Sequence, residues 1–263
     1  MSTTSDQNNS RDMAAVRRQN SNKRDGTGRL QPMVAFRALK QLIANPEDTA
    51  KVFVILEALT GDALLRGYRR FRNTPVGLRV AEQARQDDQP LLDVLRDREA
   101  LRSMPAGSLG RTYLNFVETE QITADGLVEA SEADERFSDP GLQQYAERLR
   151  DMHDLWHVTT RYGRDTFGEV CLLAFTYAQT RNRGIGVIAL VGAFKTQKEL
   201  GRGVWRAVFR GFNDGRKAAW LPAADWEALL ARPLDEVRET LRVAAPTPYQ
   251  AIWAEHRAVS AAG

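Results

Sequence analysis

The amino-acid sequence predicts an all-α fold. After residue 30 the apolar side chains recur at three and four positions, the period of one helix face. No stretch alternates apolar and polar residues between turn signals, as a half-buried strand would. Short breaks containing Pro or Gly punctuate the pattern.

The elements follow in order. The first helix covers 32–44, with Pro32 near its start, where a missing N–H leaves nothing unsatisfied. Asn45-Pro46-Glu47-Asp48 ends it, and a second helix runs from about Asp48 to Arg70. Asn73-Thr74-Pro75 opens a third, with Thr74 as the cap and Pro75 in the first turn. Further helices are expected near 90–104, 108–121, 139–162, 166–181, 185–200, 203–219, 224–231 and 234–242. Pro105-Ala106-Gly107, Gly163, Gly184, Gly201 and Pro233 separate them, and the region near 122–138 reads as loop. No repeat of fixed period is present. The organisation is a single multi-helix domain over 30–243, with a tail at 1–29 and a C-terminal extension at 244–263.

Charge is unevenly placed. The net +3 resides in the tail, where Arg11, Arg17, Arg18, Lys23, Arg24 and Arg29 face only Asp6, Asp12 and Asp25. The remainder is neutral overall, which argues against a nucleic-acid-binding body. Rich in Ser, Asn, Arg and Thr, the tail reads as a disordered, solvated leader. Weak attraction to anionic lipid heads is an alternative. Its three Asp and lack of an amphipathic pattern argue against an organelle-targeting peptide. The single cysteine, Cys171, excludes an internal disulfide, fits a reducing compartment and reads as a buried inert thiol.

The chemistry concentrates at His153-Asp154-Leu155-Trp156-His157, which holds two of only three histidines. Residues four apart share a helix face, so both imidazoles project together. Asp154, three before His157, borders that face. After eleven further residues comes Glu169, in the first turns of the next helix, which Asp165 or Thr166 can cap. A tight hairpin at Gly163 brings it back beside His157. Two imidazoles and two carboxylates suit a divalent metal: zinc foremost, with iron, manganese or cobalt left open. Leu142, Tyr145, Leu149, Met152 and Trp156 form the apolar stripe of the same helix, with His153 at its edge and Asp154 and His157 further round. Arg150 and Arg161 fall in that sector. Each would hold a substrate carboxylate, or simply pair with a carboxylate of the protein. Zinc peptidases place Glu after the first His; Asp154 stands there instead. Phosphohydrolases with a His-Asp doublet need an upstream His, and none precedes His153.

Ile185-Gly186-Val187-Ile188-Ala189-Leu190-Val191-Gly192-Ala193-Phe194 is the most hydrophobic run, and ten residues are too few to span a bilayer. It reads as a core helix. Alternatively, Ile185, Val187, Ile188 and Val191 line a tunnel for a long apolar ligand.

The hallmark His153-Asp154-Leu155-Trp156-His157-Val158, with Gly168-Glu169, resembles that of the coenzyme Q (ubiquinone) biosynthesis protein 4 family. Pro105-Ala106-Gly107-Ser108-Leu109-Gly110-Arg111 with Tyr113 is similar too. So are Gly215-Arg216-Lys217-Ala218 leading into Trp226-Glu227, and Arg232-Pro233-Leu234-Asp235-Glu236-Val237-Arg238. The resemblance covers about residues 30–243. It implies an all-α homodimer in which His153, Asp154, His157 and Glu169 hold a divalent metal. It implies a metal-dependent decarboxylase (a lyase) acting on a polyprenylated 4-hydroxybenzoate-type precursor of ubiquinone, with the C1 carboxyl replaced by hydroxyl. It also implies association with other ubiquinone-biosynthesis enzymes at a membrane. No presequence being evident, the expected setting is the bacterial cytoplasm, peripheral on the inner face of the cytoplasmic membrane. Two competitors stand beside this reading: a non-catalytic prenyl-lipid-binding scaffold and an unrelated metal hydrolase.

Overall fold

The structure, a computed structural model, describes residues 28, 30–44, 50–84, 90–121 and 137–262. The expectations for the tail up to residue 27 and for the loop over 122–136 lie outside the described residues. Everything regular among the described residues is helical: α1 (Pro32–Ala44), α2 (Ala50–Thr60), α3 (Ala63–Phe71), α4 (Pro75–Ala84), α5 (Pro90–Arg96), α6 (Arg98–Ser103), α7 (Leu109–Thr119) and α8 (Pro140–Asp151). Then come α9 (His153–Thr160), α10 (Thr166–Thr180), α11 (Arg183–Leu200), α12 (Gly203–Lys217), α13 (Trp226–Leu229), α14 (Leu234–Leu241) and α15 (Thr247–Ala262), with a 3₁₀ turn at Leu221–Ala223. The chain is all-α. None of these helices is long and apolar enough to cross a membrane.

Three expected helices are each divided in two, for local reasons. The run from Asp48 to Arg70 turns at Gly61, whose φ of +53° is left-handed and costs glycine nothing. The run over 90–104 breaks at Asp97, whose carboxylate accepts from the Ala100 N–H at 2.9 Å and caps α6. The run over 139–162 breaks at Met152, where ψ flattens to −3° before α9 begins. The cap at Thr74 forms as its sequence suggests: the Gly77 N–H donates to Thr74 Oγ1 at 3.0 Å.

α10 is apolar almost all round and so takes the centre. Phe167, Val170, Cys171, Leu172, Ala174 and Phe175 are all buried in it. Burial pushes the Cys171 thiol up, consistent with an inert sulfur. α12 approaches α10 at backbone distance: a Cβ on Gly211 would lie 2.6 Å from the Cys171 carbonyl oxygen, and one on Gly215 2.6 Å from that of Phe175. Leu114, Leu155, Trp156, Trp226 and Val237 complete this main core from α7, α9, α13 and α14. A smaller second core, Ala38, Leu42, Val54 and Ile55, joins α1 to α2. Val187, Ile188 and Val191 of α11 pack against it, and Ile185 beside them is half-buried.

Two of the stretches singled out in the sequence meet. Leu109 N–H donates to the Arg232 carbonyl and Leu234 N–H to that of Gly107, each at 2.9 Å, around an antiparallel bridge of Ser108 with Pro233. α14 is thereby anchored beside α7. From it Arg238 donates to the Val158 and Thr159 carbonyls at 3.0 and 3.1 Å, satisfying the open C-terminal end of α9.

Candidate metal centre

α9 carries three of the four predicted ligands and is buried from Asp154 to Thr160. The His153 and His157 rings lie 4.9 Å apart between centroids. One ligand atom each from His153, Asp154 and His157 falls within 4.8 Å of the others. At the end of α9, Arg161 adopts a left-handed φ of +64° and the chain reverses. Asp165 caps α10 by accepting from the Gly168 N–H at 2.9 Å. Gly168 fits because a Cβ there would lie 2.2 Å from the Gly163 carbonyl oxygen. Glu169 therefore emerges in the first turn of α10, where the helix dipole favours a carboxylate. Its Oε2 lies 3.1 Å from His157 Nε2 and its Oε1 3.6 Å from His153 Nε2. His153 Nδ1 is 3.5 Å from Asp154 Oδ1.

The two histidines differ in burial, and in the opposite sense to the sequence expectation. The His157 side chain is 0% exposed and that of His153 32%. The regular helix is interrupted at Met152, and Phe116 stacks over His157 at 5.8 Å. The sequence gives no sign of either event.

The donor set fits a divalent cation. His157 Nδ1–H donates to the Tyr162 carbonyl at 3.0 Å, which leaves the Nε2 lone pair bare. That Nε2 and His153 Nδ1 are buried without hydrogen-bond partners among the described residues. A bare lone pair facing a carboxylate oxygen at 3.1 Å in a buried place calls for a cation between them. Burial opposes charge on His153, but the carboxylates of Asp154 and Glu169 raise its pKa to about 9. Glu169, against its own burial, is held below the usual carboxylate range by His153 and His157.

Arg150 and Arg161 each have a carboxylate partner within the protein. Arg150 pairs with Asp151 at 2.9 Å, and Arg161 with Asp235 at 3.5 Å. For both, the pairing with a protein carboxylate is the arrangement present. Sequence reasoning missed three supporting groups: the Tyr162 carbonyl, a backbone atom that leaves no trace in the sequence; Phe116; and Tyr113. The Tyr113 phenol is driven up in pKa by burial and then by the charges of Asp154 and Asp151.

Residues 30–247 match the family described as coenzyme Q (ubiquinone) biosynthesis protein Coq4. The chain belongs to that family. Among curated Coq4 relatives, a mitochondrial ubiquinone biosynthesis protein of Podospora anserina is 30% identical over 56% of this chain and 47% of its own length. The Xenopus tropicalis mitochondrial homologue is 28% identical over 75% of this chain and 68% of its own length. The chain thus spans about half to two thirds of these relatives. A Nostoc punctiforme crystal structure assigned to ubiquinone biosynthesis shares the fold at a TM-score of 0.55 and 21% identity, over 82% of this chain and all of that one. The curated relatives are mitochondrial proteins of eukaryotes. This overturns the bacterial cytoplasmic setting expected from the sequence.

Proposed function

We propose that this chain is a metal-dependent enzyme of ubiquinone biosynthesis, which replaces the C1 carboxyl of a polyprenylated 4-hydroxybenzoate-type ring by hydroxyl. The observation that supports it most is the buried approach of His157 Nε2 to Glu169 at 3.1 Å, flanked by His153 and Asp154. These four residues would hold the metal, with zinc the first choice and iron, manganese or cobalt fitting the same donors. When bound, it supplies Lewis acidity toward the ring carboxylate and phenolic oxygens, where charge develops as carbon dioxide leaves. One carbon–carbon bond breaks and one carbon–oxygen bond forms. This is a net two-electron oxidation, so an oxidant such as dioxygen must reach the same ring.

The chain's own groups prepare the place. Tyr113, buried and within electrostatic reach of Asp154, stays a neutral phenol there, able to donate or accept a hydrogen bond but not to act as a phenolate base. Phe116 closes the His157 face to water. The prenyl tail would run along Ile185, Val187, Ile188 and Val191 of α11. Nearby on α11 and α12, Leu190, Phe194 and Phe209 are 50%, 58% and 62% exposed. Lys195, Lys198 and Arg206 lie along the same two helices, and Arg202 in the turn between them. Apolar anchors among cations suit peripheral contact with an anionic lipid surface. A homodimer and contact with other enzymes of the pathway belong to the same reading.

Glu169→Gln tests it in cells that depend on this chain. We expect a folded protein that lacks metal, loss of ubiquinone, and accumulation of a carboxylated prenyl precursor. Normal ubiquinone in those cells would overturn the proposal. The competing scaffold, which would only bind and present prenyl lipids, rests on the exposed apolar strip. Turnover of the carboxylated substrate by purified protein and oxygen would exclude it.

A further inference from the structure

We propose that Tyr249, on the C-terminal helix α15, is a positioning residue for the metal centre. Its single hydroxyl ties down the turn that joins the two ligand-bearing helices. The inference rests on the metal-site reading above and adds a residue beyond the stretch matched to the family, which ends at 247.

The turn is residues 161–165. On one side it ends α9 and thereby sets His157; on the other it starts α10 and sets Glu169. Tyr249 Oη donates to Asp165 Oδ2 at 2.6 Å and accepts from the Gly163 N–H at 3.0 Å. Asp165 passes the constraint to the Glu169 arm, because its other oxygen accepts from the Gly168 N–H at 2.9 Å at the head of α10. Tyr162, one residue before Gly163, passes it to the His157 arm, because its carbonyl accepts His157 Nδ1–H at 3.0 Å. That bond fixes both the ring orientation and the tautomer that leaves Nε2 bare. The Tyr249 ring also packs beside Tyr162 and Phe167, with centroids 5.4 and 5.2 Å away.

The turn is shaped closely around the hydroxyl. A Cβ on Gly163 would lie 2.7 Å from Tyr249 Oη and 2.6 Å from Asp165 Oδ2. Only a residue without a side chain lets the three groups meet. The rest of α15 attaches elsewhere: Ile252 packs toward Gly203 at the start of α12. Tyr249 therefore reaches the metal turn while Ile252 packs on the start of α12, and the two are separable by mutation.

Metal-stripped, full-length protein would be titrated with Co²⁺, reading its visible d–d bands, alongside thermal unfolding. Tyr249→Phe keeps the ring and removes the hydroxyl. We expect it to weaken Co²⁺ binding about tenfold, the lower end of the effect of outer-shell groups, and to change the intensity of the bands. Asp165→Asn loosens the same link from the other side and should do likewise, which covers failure of the first variant to fold. Ile252→Ala should lower the unfolding temperature yet leave affinity and bands at wild-type values. Wild-type affinity and spectrum in Tyr249→Phe and Asp165→Asn would overturn the inference. So would an equal loss in Ile252→Ala, since general loosening of α15 would then explain it. If the wild-type protein takes up no Co²⁺, the metal-site reading itself fails and this one goes with it.

Discussion

Loading the four-residue cluster with metal at neutral pH should expel a proton. In the metal-free protein His153 is pulled in two directions. Burial disfavours its charge, but the carboxylates of Asp154 and Glu169 outweigh it and raise the pKa to about 9. Glu169, despite burial, stays ionised through the neutral range because His153 and His157 hold its pKa low. A ligating histidine must give up its proton. Below about pH 9, then, uptake competes with that proton, and affinity falls tenfold, about 1.4 kcal/mol, per pH unit. Between about pH 9 and pH 7 the loss is roughly a hundredfold. The sign is fixed: affinity rises with pH and levels off once His153 is neutral. Calorimetric titration with Zn²⁺ or Co²⁺, in two buffers of different ionisation heat, counts the protons released. We expect close to one per metal near neutrality. Proton-neutral binding with an affinity indifferent to pH would refute the reasoning, because it would mean that His153 is not displaced from its carboxylates.

Two further outcomes follow from the packing. Gly211→Ala places a methyl 2.6 Å from the Cys171 carbonyl oxygen, so α12 must withdraw from α10; the cost is about 1–3 kcal/mol, or roughly 2–4 °C in Tm for each kcal/mol. An unchanged thermal midpoint would show that the two helices do not meet there. Replacing Phe194 and Phe209 together by Ser should leave the fold within about 1 kcal/mol and weaken binding to anionic vesicles about tenfold. Equal sedimentation with vesicles would remove this face from the membrane reading.

What the sequence disclosed was mostly local. Apolar spacing shows where helices run, and Thr74-Pro75 and Asp165 show where two of them begin. The return of Glu169 to His157 was also legible, because Gly163 and the cap at Asp165 leave little room for any other path. The breaks at Gly61, Asp97 and Met152 were not, since each interrupts a continuous apolar pattern: the first by a left-handed glycine, the second by a side-chain cap, the third by a flattened ψ. The Met152 break mattered most. His157, rather than His153, takes the deepest position, and the angular pattern of one unbroken helix does not show that. Arg150 and Arg161 lay in the right angular sector, but their partners Asp151 and Asp235 depend on an immediate neighbour and on a distant helix. The kinship with mitochondrial proteins was not legible at all in tail composition.

The central claim is that His153, Asp154, His157 and Glu169 together grip one divalent ion. The most direct measurement is elemental analysis of freshly purified protein, beside His157→Ala prepared identically. We expect about one metal per chain in the first, and almost none in the second. A wild-type protein that arrives without metal and, after dialysis against zinc, iron, manganese or cobalt, still retains none would contradict it.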